Sequence, residues 1–133
     1  MSRRFLLDSN AIIDHIGGVR RLPDAVAKSE AMLVSQIAVA EVKAGFDDTR
    51  RGRRDRDALS VFLGLSNVVE ITVTSATTDL YAKVFRALRA AGTPIPVNDI
   101  WLAAQALEHG AVVVSTDRHF KAVANLRTLF PDD

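Results

Sequence analysis

At 133 residues, with 48% apolar and 25% charged side chains, the sequence has the size and balance of one soluble globular domain and excludes a disordered or collagen-like chain. It contains no cysteine, which rules out a disulfide framework, a thiolate zinc site and a cysteine nucleophile. The net charge of +1 offers no bulk argument for nucleic acid, so any such argument has to be local.

The longest apolar run, Ile100 to Ala104, falls far short of the roughly twenty residues a spanning helix needs. The start, Met1-Ser2-Arg3-Arg4-Phe5-Leu6-Leu7-Asp8, is basic, but Asp8 interrupts its apolar stretch too early for a secretory signal. A cytoplasmic location is expected.

In chain order, Arg4 to Leu7 reads as a buried strand that stops at Asp8-Ser9-Asn10, where a helix from Asn10 to Ile16 begins and Gly17-Gly18 ends it. Pro23 to Glu30 reads as a second helix with proline in its first turn. Met32 to Ser35 is the next strand, with Ser35 placed to cap a helix from Gln36 to about Phe46. Asp47 to Asp57 holds five arginines and four aspartates and reads as a solvated helix end or turn. Ala58 to Leu65 resumes a helical pattern and Val68 to Val73 has the β-branched content of a third strand. From Ser75 the apolar spacing of Leu80, Tyr81, Val84, Phe85 and Leu88 predicts a helix that ends before Gly92-Thr93-Pro94-Ile95-Pro96. Asn98 then caps a helix from Asp99 to His109, Gly110 stops it, and Ala111 to Ser115 is a fourth buried strand. A short helix over Arg118 to Ala124 and a last strand near Leu126 to Phe130 complete the chain. Short apolar strands alternating with helices predict a single α/β domain over residues 1–133, with a parallel sheet covered on both faces.

In such a sheet ligands gather outside the carboxyl ends of the strands. Asp8 stands at the end of the first strand and Asp117 just past the fourth, while Asp99 opens a helix whose next inward neighbours, Ala103 and Ala106, leave room beside its carboxylate. Glu41 is flanked at helical spacing by Ile37, Ala38, Ala44 and Gly45, none of which can neutralise it. Four acids drawn together without matching bases need protons or a bound cation, and oxygen-only ligands favour magnesium or manganese. His15, His109 and His119 share no ligand spacing and are expected at the surface or behind the ligands. A divalent ion held by acids with open positions is the apparatus for hydrolysing phosphate esters, which makes metal-dependent phosphodiester cleavage the expected chemistry.

Each acid taken alone has a structural reading: helix capping for Asp8-Ser9-Asn10, a first-turn acid for Asp99, a turn residue for Asp117, solvent access for Glu41. Their joint placement favours the site. Arg50, Arg51, Arg53, Arg54 and Arg56 are interleaved with aspartates and read as a solvated face before a phosphate grip, and Trp101 and the phenylalanines read as core.

Four segments in order carry a family resemblance: Phe5-Leu6-Leu7-Asp8-Ser9-Asn10, Ser35 to Glu41, Pro96-Val97-Asn98-Asp99-Ile100-Trp101-Leu102-Ala103-Ala104-Gln105-Ala106, and Ser115-Thr116-Asp117-Arg118-His119-Phe120. Across nearly the whole chain the sequence resembles the PIN-domain ribonucleases of the VapC toxin type. The resemblance implies a three-layer α/β/α domain with a mainly parallel five-stranded sheet, and Asp8, Glu41, Asp99 and Asp117 as an acidic quartet around Mg2+ or Mn2+. It makes Ser9, Asn10, Asn98, Ser115 and Thr116 supporting polar groups; Ser115 stands where threonine is commoner in the family and keeps the hydroxyl. It also implies a homodimer, a VapB-like antitoxin whose tail covers the pocket, and single-stranded or loop RNA as substrate. Two rivals are a non-catalytic PIN-fold module that binds RNA or protein, and a phosphoacceptor receiver domain. The receiver lacks support, because Val73 is followed by Thr74 and Ser75 where an acceptor aspartate would stand.

Overall fold

The computed structural model describes residues 4–132, so the basic start at Met1 to Arg3 lies outside them. Five strands, β1 (Arg4–Leu7), β2 (Ala31–Ser35), β3 (Val68–Ile71), β4 (Val112–Val114) and β5 (Thr128–Leu129), form one sheet in the order β3-β2-β1-β4-β5. Every neighbouring pair is parallel. The two central strands are buried on both faces, which is why they read as plain apolar runs: Leu6, Leu7, Val113 and Val114 are all fully buried.

Between the strands run α1 (Ser9–Ile16), α2 (Asp24–Ala27), α3 (Gln36–Ala44), α4 (Arg50–Leu63), α5 (Ser75–Ala91) and α6 (Val97–His109), with a 3-10 turn over Arg118–Ala122. α1 packs on α3 and α4, and α5 packs on α6. Right-handed crossovers place the first group on one face of the sheet and the α5–α6 pair on the other, giving the three layers. No helix among the described residues is long and apolar enough to cross a membrane.

α6 lies against β1 and β4 through Leu102, Ala103 and Ala106, all buried, and its alanines let the helix axis sit close to the sheet. It stops at Gly110, whose left-handed φ of 62° lets the Ala111 N–H return to the Ala106 carbonyl at 2.9 Å.

Several boundaries differ from expectation. α2 is a single turn, because the Ser29 hydroxyl takes the Val26 carbonyl at 2.7 Å and ends the ladder. β3 stops at Ile71, since its partner β2 ends at the paired Ser35. α6 begins at Val97 with Pro96 at its N-cap and no side-chain cap, so Asn98 lies inside the first turn and does not cap it. Of the two readings of the arginine-rich segment, the solvated helix end holds and the turn does not: from Arg50 it forms the first half of the 14-residue α4.

The start of α4 is built on Gly52. Thr49 caps the helix by accepting the Gly52 N–H at 3.1 Å, and the Asp47 carboxylate accepts the Thr49 N–H at 3.1 Å. This folds Asp47 directly over Gly52, where an added Cβ would lie 2.9 Å from the Asp47 carbonyl carbon and 2.5 Å from its Oδ1. Gly52→Ala therefore lowers stability by about 1–3 kcal/mol, although alanine gains about 1 kcal/mol in helix propensity, because backbone must move to admit the methyl. Thermal unfolding reads this as a fall of several degrees in Tm; an unchanged or raised Tm would show that the 47–49 loop yields freely.

Candidate active site

The chain lays β1, β2 and β3 outward on one side of the sheet, then crosses over to place β4 and β5 on the other side of β1. The direction of strand order thus reverses between β1 and β4, and a crevice opens outside their carboxyl ends. The register Leu7↔Val114 sets Asp8 directly beside Ser115.

Asp8 is 3% exposed and is held by three donors. The Ser9 N–H donates to its Oδ1 at 2.7 Å, the Ser115 hydroxyl to its Oδ2 at 2.7 Å, and the Asn10 amide to Oδ2 at 3.1 Å. Asp8 is therefore the N-cap of α1, as the capping reading had it, and its carboxylate is also fixed at the edge of the cleft. Asn10 also accepts the Thr116 N–H at 3.2 Å, and the Ser115 hydroxyl accepts the Asp117 N–H at 2.9 Å, which ties the β1 and β4 ends into one polar network. Thr116 joins it through its backbone. Burial, and after it the nearby charges of Glu41 and Asp117, pushes the Asp8 carboxyl above the usual range against the hydrogen bonds that lower it.

Asp99 comes from the first turn of α6 and is 9% exposed. Burial, then the charges of Asp8 and Asp117, raises its pKa to about 6, against a lowering contact with His119. Glu41 arrives from α3, and its Oε1 is buried with no hydrogen-bond partner. Asp117 caps the 3-10 turn, accepting the His119 N–H at 2.9 Å, and so is a turn residue that also faces the cleft. The four acids, with Ser9, Asn10, Val97 and Asn98, line an open cleft of about 440 Å³. Asn98 is exposed on its rim.

All four sequence-predicted acids thus converge, and a fifth group joins them. His119 Nδ1 lies 2.9 Å from Asp117 Oδ1 and 3.3 Å from Asp99 Oδ2, on a side chain that is half-exposed, in keeping with a surface position beside the acids. His15 packs instead on the Phe62 ring at 5.5 Å. Buried like charges with raised pKa values and an unpartnered carboxylate oxygen are the chemistry of a cation-binding site, and the oxygen-rich donor set suits a hard divalent cation. The residues fit such an ion.

The arginines are sorted by the helix. Arg53 donates to the Asp48 carbonyl and Arg56 sits over the Phe46 ring at 5.7 Å. Arg50, Arg51 and Arg54 are exposed around one shallow surface hollow. Trp101 is packed on Tyr81, ring centroids 4.1 Å apart, between α5 and α6.

The family model for the PIN domain matches residues 5–126. The chain belongs to the PIN domain family. Over 96% of its length this PIN domain is 27% identical to ribonuclease VapC4 of Mycobacterium tuberculosis, of which it covers 96%. It is 30% identical to plasmid stability protein StbB of Pseudomonas syringae pv. tomato, with 95% of this chain and 96% of that protein aligned. Among solved structures it resembles VapBC2 of Rickettsia felis, bound there to a DNA fragment from its promoter, with a TM-score of 0.79, 24% identity, and coverage of 95% of this chain and 97% of that one.

Proposed function

We propose that this PIN domain is a divalent-metal-dependent endoribonuclease, the toxin of a type II toxin–antitoxin pair, hydrolysing phosphodiester bonds in single-stranded or loop RNA. The observation that carries the reading is the convergence of Asp8, Glu41, Asp99 and Asp117 on one cleft at the switch point of the sheet, with Glu41 Oε1 buried and unpartnered. Similarity to ribonuclease VapC4 and to solved VapBC assemblies supports the substrate class and the antitoxin partner.

Asp8 and Asp99 would be the main ligands of Mg2+ or Mn2+, with Asp117 completing the anionic pocket. When bound, the ion activates a water and offsets charge on the phosphate and leaving oxygen. The chain's own residues set the geometry. The Ser9 N–H, the Ser115 hydroxyl and Asn10 lock the Asp8 carboxylate before anything binds. Glu41, which lines the cleft while its Oε1 is buried without a donor, would with Asp117 complete the negative pocket or orient the attacking water. Single strands fit an open cleft of this size, whereas a stiff duplex cannot bring a phosphate to its floor. An antitoxin tail would place a lysine or arginine among the acids and displace the ion. The homodimer expected from the resemblance has an apolar face available where Phe85 and Val97 stand 39% and 54% exposed.

Incubation of labelled RNA with the protein, with magnesium and then with a chelator, tests the activity. Cleavage that needs the metal supports it, and binding without cleavage would favour the non-catalytic module. Salt gives a further check. The exposed Arg50, Arg51 and Arg54 supply attraction for phosphates, so log kcat/KM falls with log salt by about 0.7 per phosphate neutralised on a single strand. Changing all three arginines to glutamine makes that slope shallower with kcat unaltered at saturating RNA; an identical slope would remove them from the RNA path.

A further inference from the structure

His119 is the one group near the acids that the proposed chemistry leaves without a task. Its placement is firm: the neighbouring Phe120 is fully buried and Val123 nearly so, which pins the 3-10 turn that carries His119 into the core. The Asp117 carboxylate is fixed to the same turn by the His119 N–H. The ring nitrogen Nδ1 then faces Asp117 Oδ1 at 2.9 Å and Asp99 Oδ2 at 3.3 Å, and the three atoms lie within 4.8 Å of one another.

Those spacings are the edges of a coordination polyhedron. Ligand atoms about 2.1 Å from a six-coordinate ion stand about 3.0 Å apart when adjacent. Two acids from separate elements and one ring nitrogen each offer a ligand atom within 4.8 Å of the others, so a single cation can be held by all three.

We propose that His119 Nδ1 is a direct ligand of the divalent cation, added to the Asp8 and Asp99 ligands named above and bringing Asp117 Oδ1 in beside them, and that this nitrogen biases the site towards Mn2+ over Mg2+. The inference rests on the metal-dependent reading above and adds the ligand type and the ion preference. An imidazole nitrogen suits transition ions, while magnesium keeps to oxygen, so the same residue that strengthens manganese binding contributes little to magnesium. The His119 side chain is 50% exposed, and ligation through Nδ1 requires the proton on Nε2.

The test uses the full chain with Mn2+ alone and no RNA. Manganese binding is titrated by EPR, and pulsed EPR of the bound ion looks for the coupling of a directly bonded 14N. The wild type is expected to show that coupling, which changes to the 15N pattern when histidine is isotopically labelled and vanishes in His119→Ala. Mn2+ affinity is expected to fall at least about tenfold in His119→Ala, and Mg2+ affinity, measured by competition, by less than about threefold. Tight Mn2+ binding with an oxygen-only spectrum in the wild type would overturn the ligand assignment and leave the proposed function standing. No Mn2+ binding at all would overturn both. A 14N coupling that survives in His119→Ala would assign the nitrogen elsewhere and also overturn it. The labelled wild-type spectrum is decisive even if the variant folds poorly.

Discussion

Asp8→Asn lowers metal-dependent RNA cleavage by at least about 10²-fold while the protein stays folded. The two halves of that expectation come from the two roles of one side chain. As the N-cap of α1, Asp8 needs an oxygen to accept the Ser9 N–H at 2.7 Å, and asparagine supplies it as well as aspartate does. As a ligand, Asp8 needs a full negative charge on the oxygen that Ser115 and Asn10 hold in place, and asparagine has none. The variant therefore separates capping from chemistry at a position where sequence alone left both readings open. Single-turnover cleavage of labelled RNA with saturating magnesium, beside a far-UV spectrum and a melting curve, measures both halves. Cleavage at the wild-type rate would remove Asp8 from the ligand set.

Much of the fold was legible because the central strands are buried on both faces. Phe5-Leu6-Leu7 and Val112-Val113-Val114 have no polar face to confuse them, and each runs straight into the polar residues that form the site. The first half of α4 was hidden for a physical reason. Its inward positions are Gly52, Asp55, Leu59 and Phe62, a helical stripe whose first two members carry no apolar side chain, so periodicity searched by hydrophobicity begins only at Ala58. At the N-terminal end of that stripe the space is filled by the Asp47 loop lying on Gly52, a contact between residues that propensity treats separately. The interleaved charges misled in the same way, since spacing along the chain does not show which arginines the helix turns outward.

Asp8, Asp99 and Asp117 were legible because they follow strands or open a helix, where the sheet topology fixes their meeting, and Glu41 because no neighbour at helical spacing could neutralise it. His119 was not. Two residues apart in an α-helix do not face each other, and the pair comes together only because Asp117 caps a 3-10 turn with the His119 N–H and so swings the ring back over its own carboxylate. The signal was present in the capping residue, but its consequence needs the turn geometry.

Asp99→Asn makes the metal-free protein more stable at neutral pH, by about 2–3 kcal/mol, while disabling cleavage. The carboxyl of Asp99 has a pKa of about 6 in the folded chain against an ordinary value of 3.8, chiefly because burial and the charges of Asp8 and Asp117 oppose its ionisation. Between those two values the folded state holds a proton that the unfolded state has lost. Stability contributed at this position is therefore highest below about pH 4, declines as pH rises to about 6, and stays at its lower level beyond. Asparagine cannot ionise and does not pay that cost. The stability difference between variant and wild type, from urea titrations in a chelator, should be near zero at pH 4 and grow to its full size by pH 7, with the titrating groups remote from Asp99 cancelling. Saturating Mg2+ or Mn2+ should shrink or reverse the difference at pH 7, since the ion stabilises the wild type by mass action and finds a weaker site in the variant. A variant no more stable than wild type at pH 7 without metal would mean that burial and the charges of Asp8 and Asp117 do not oppose ionisation of Asp99, and the case for a cation beside it would lose its energetic basis.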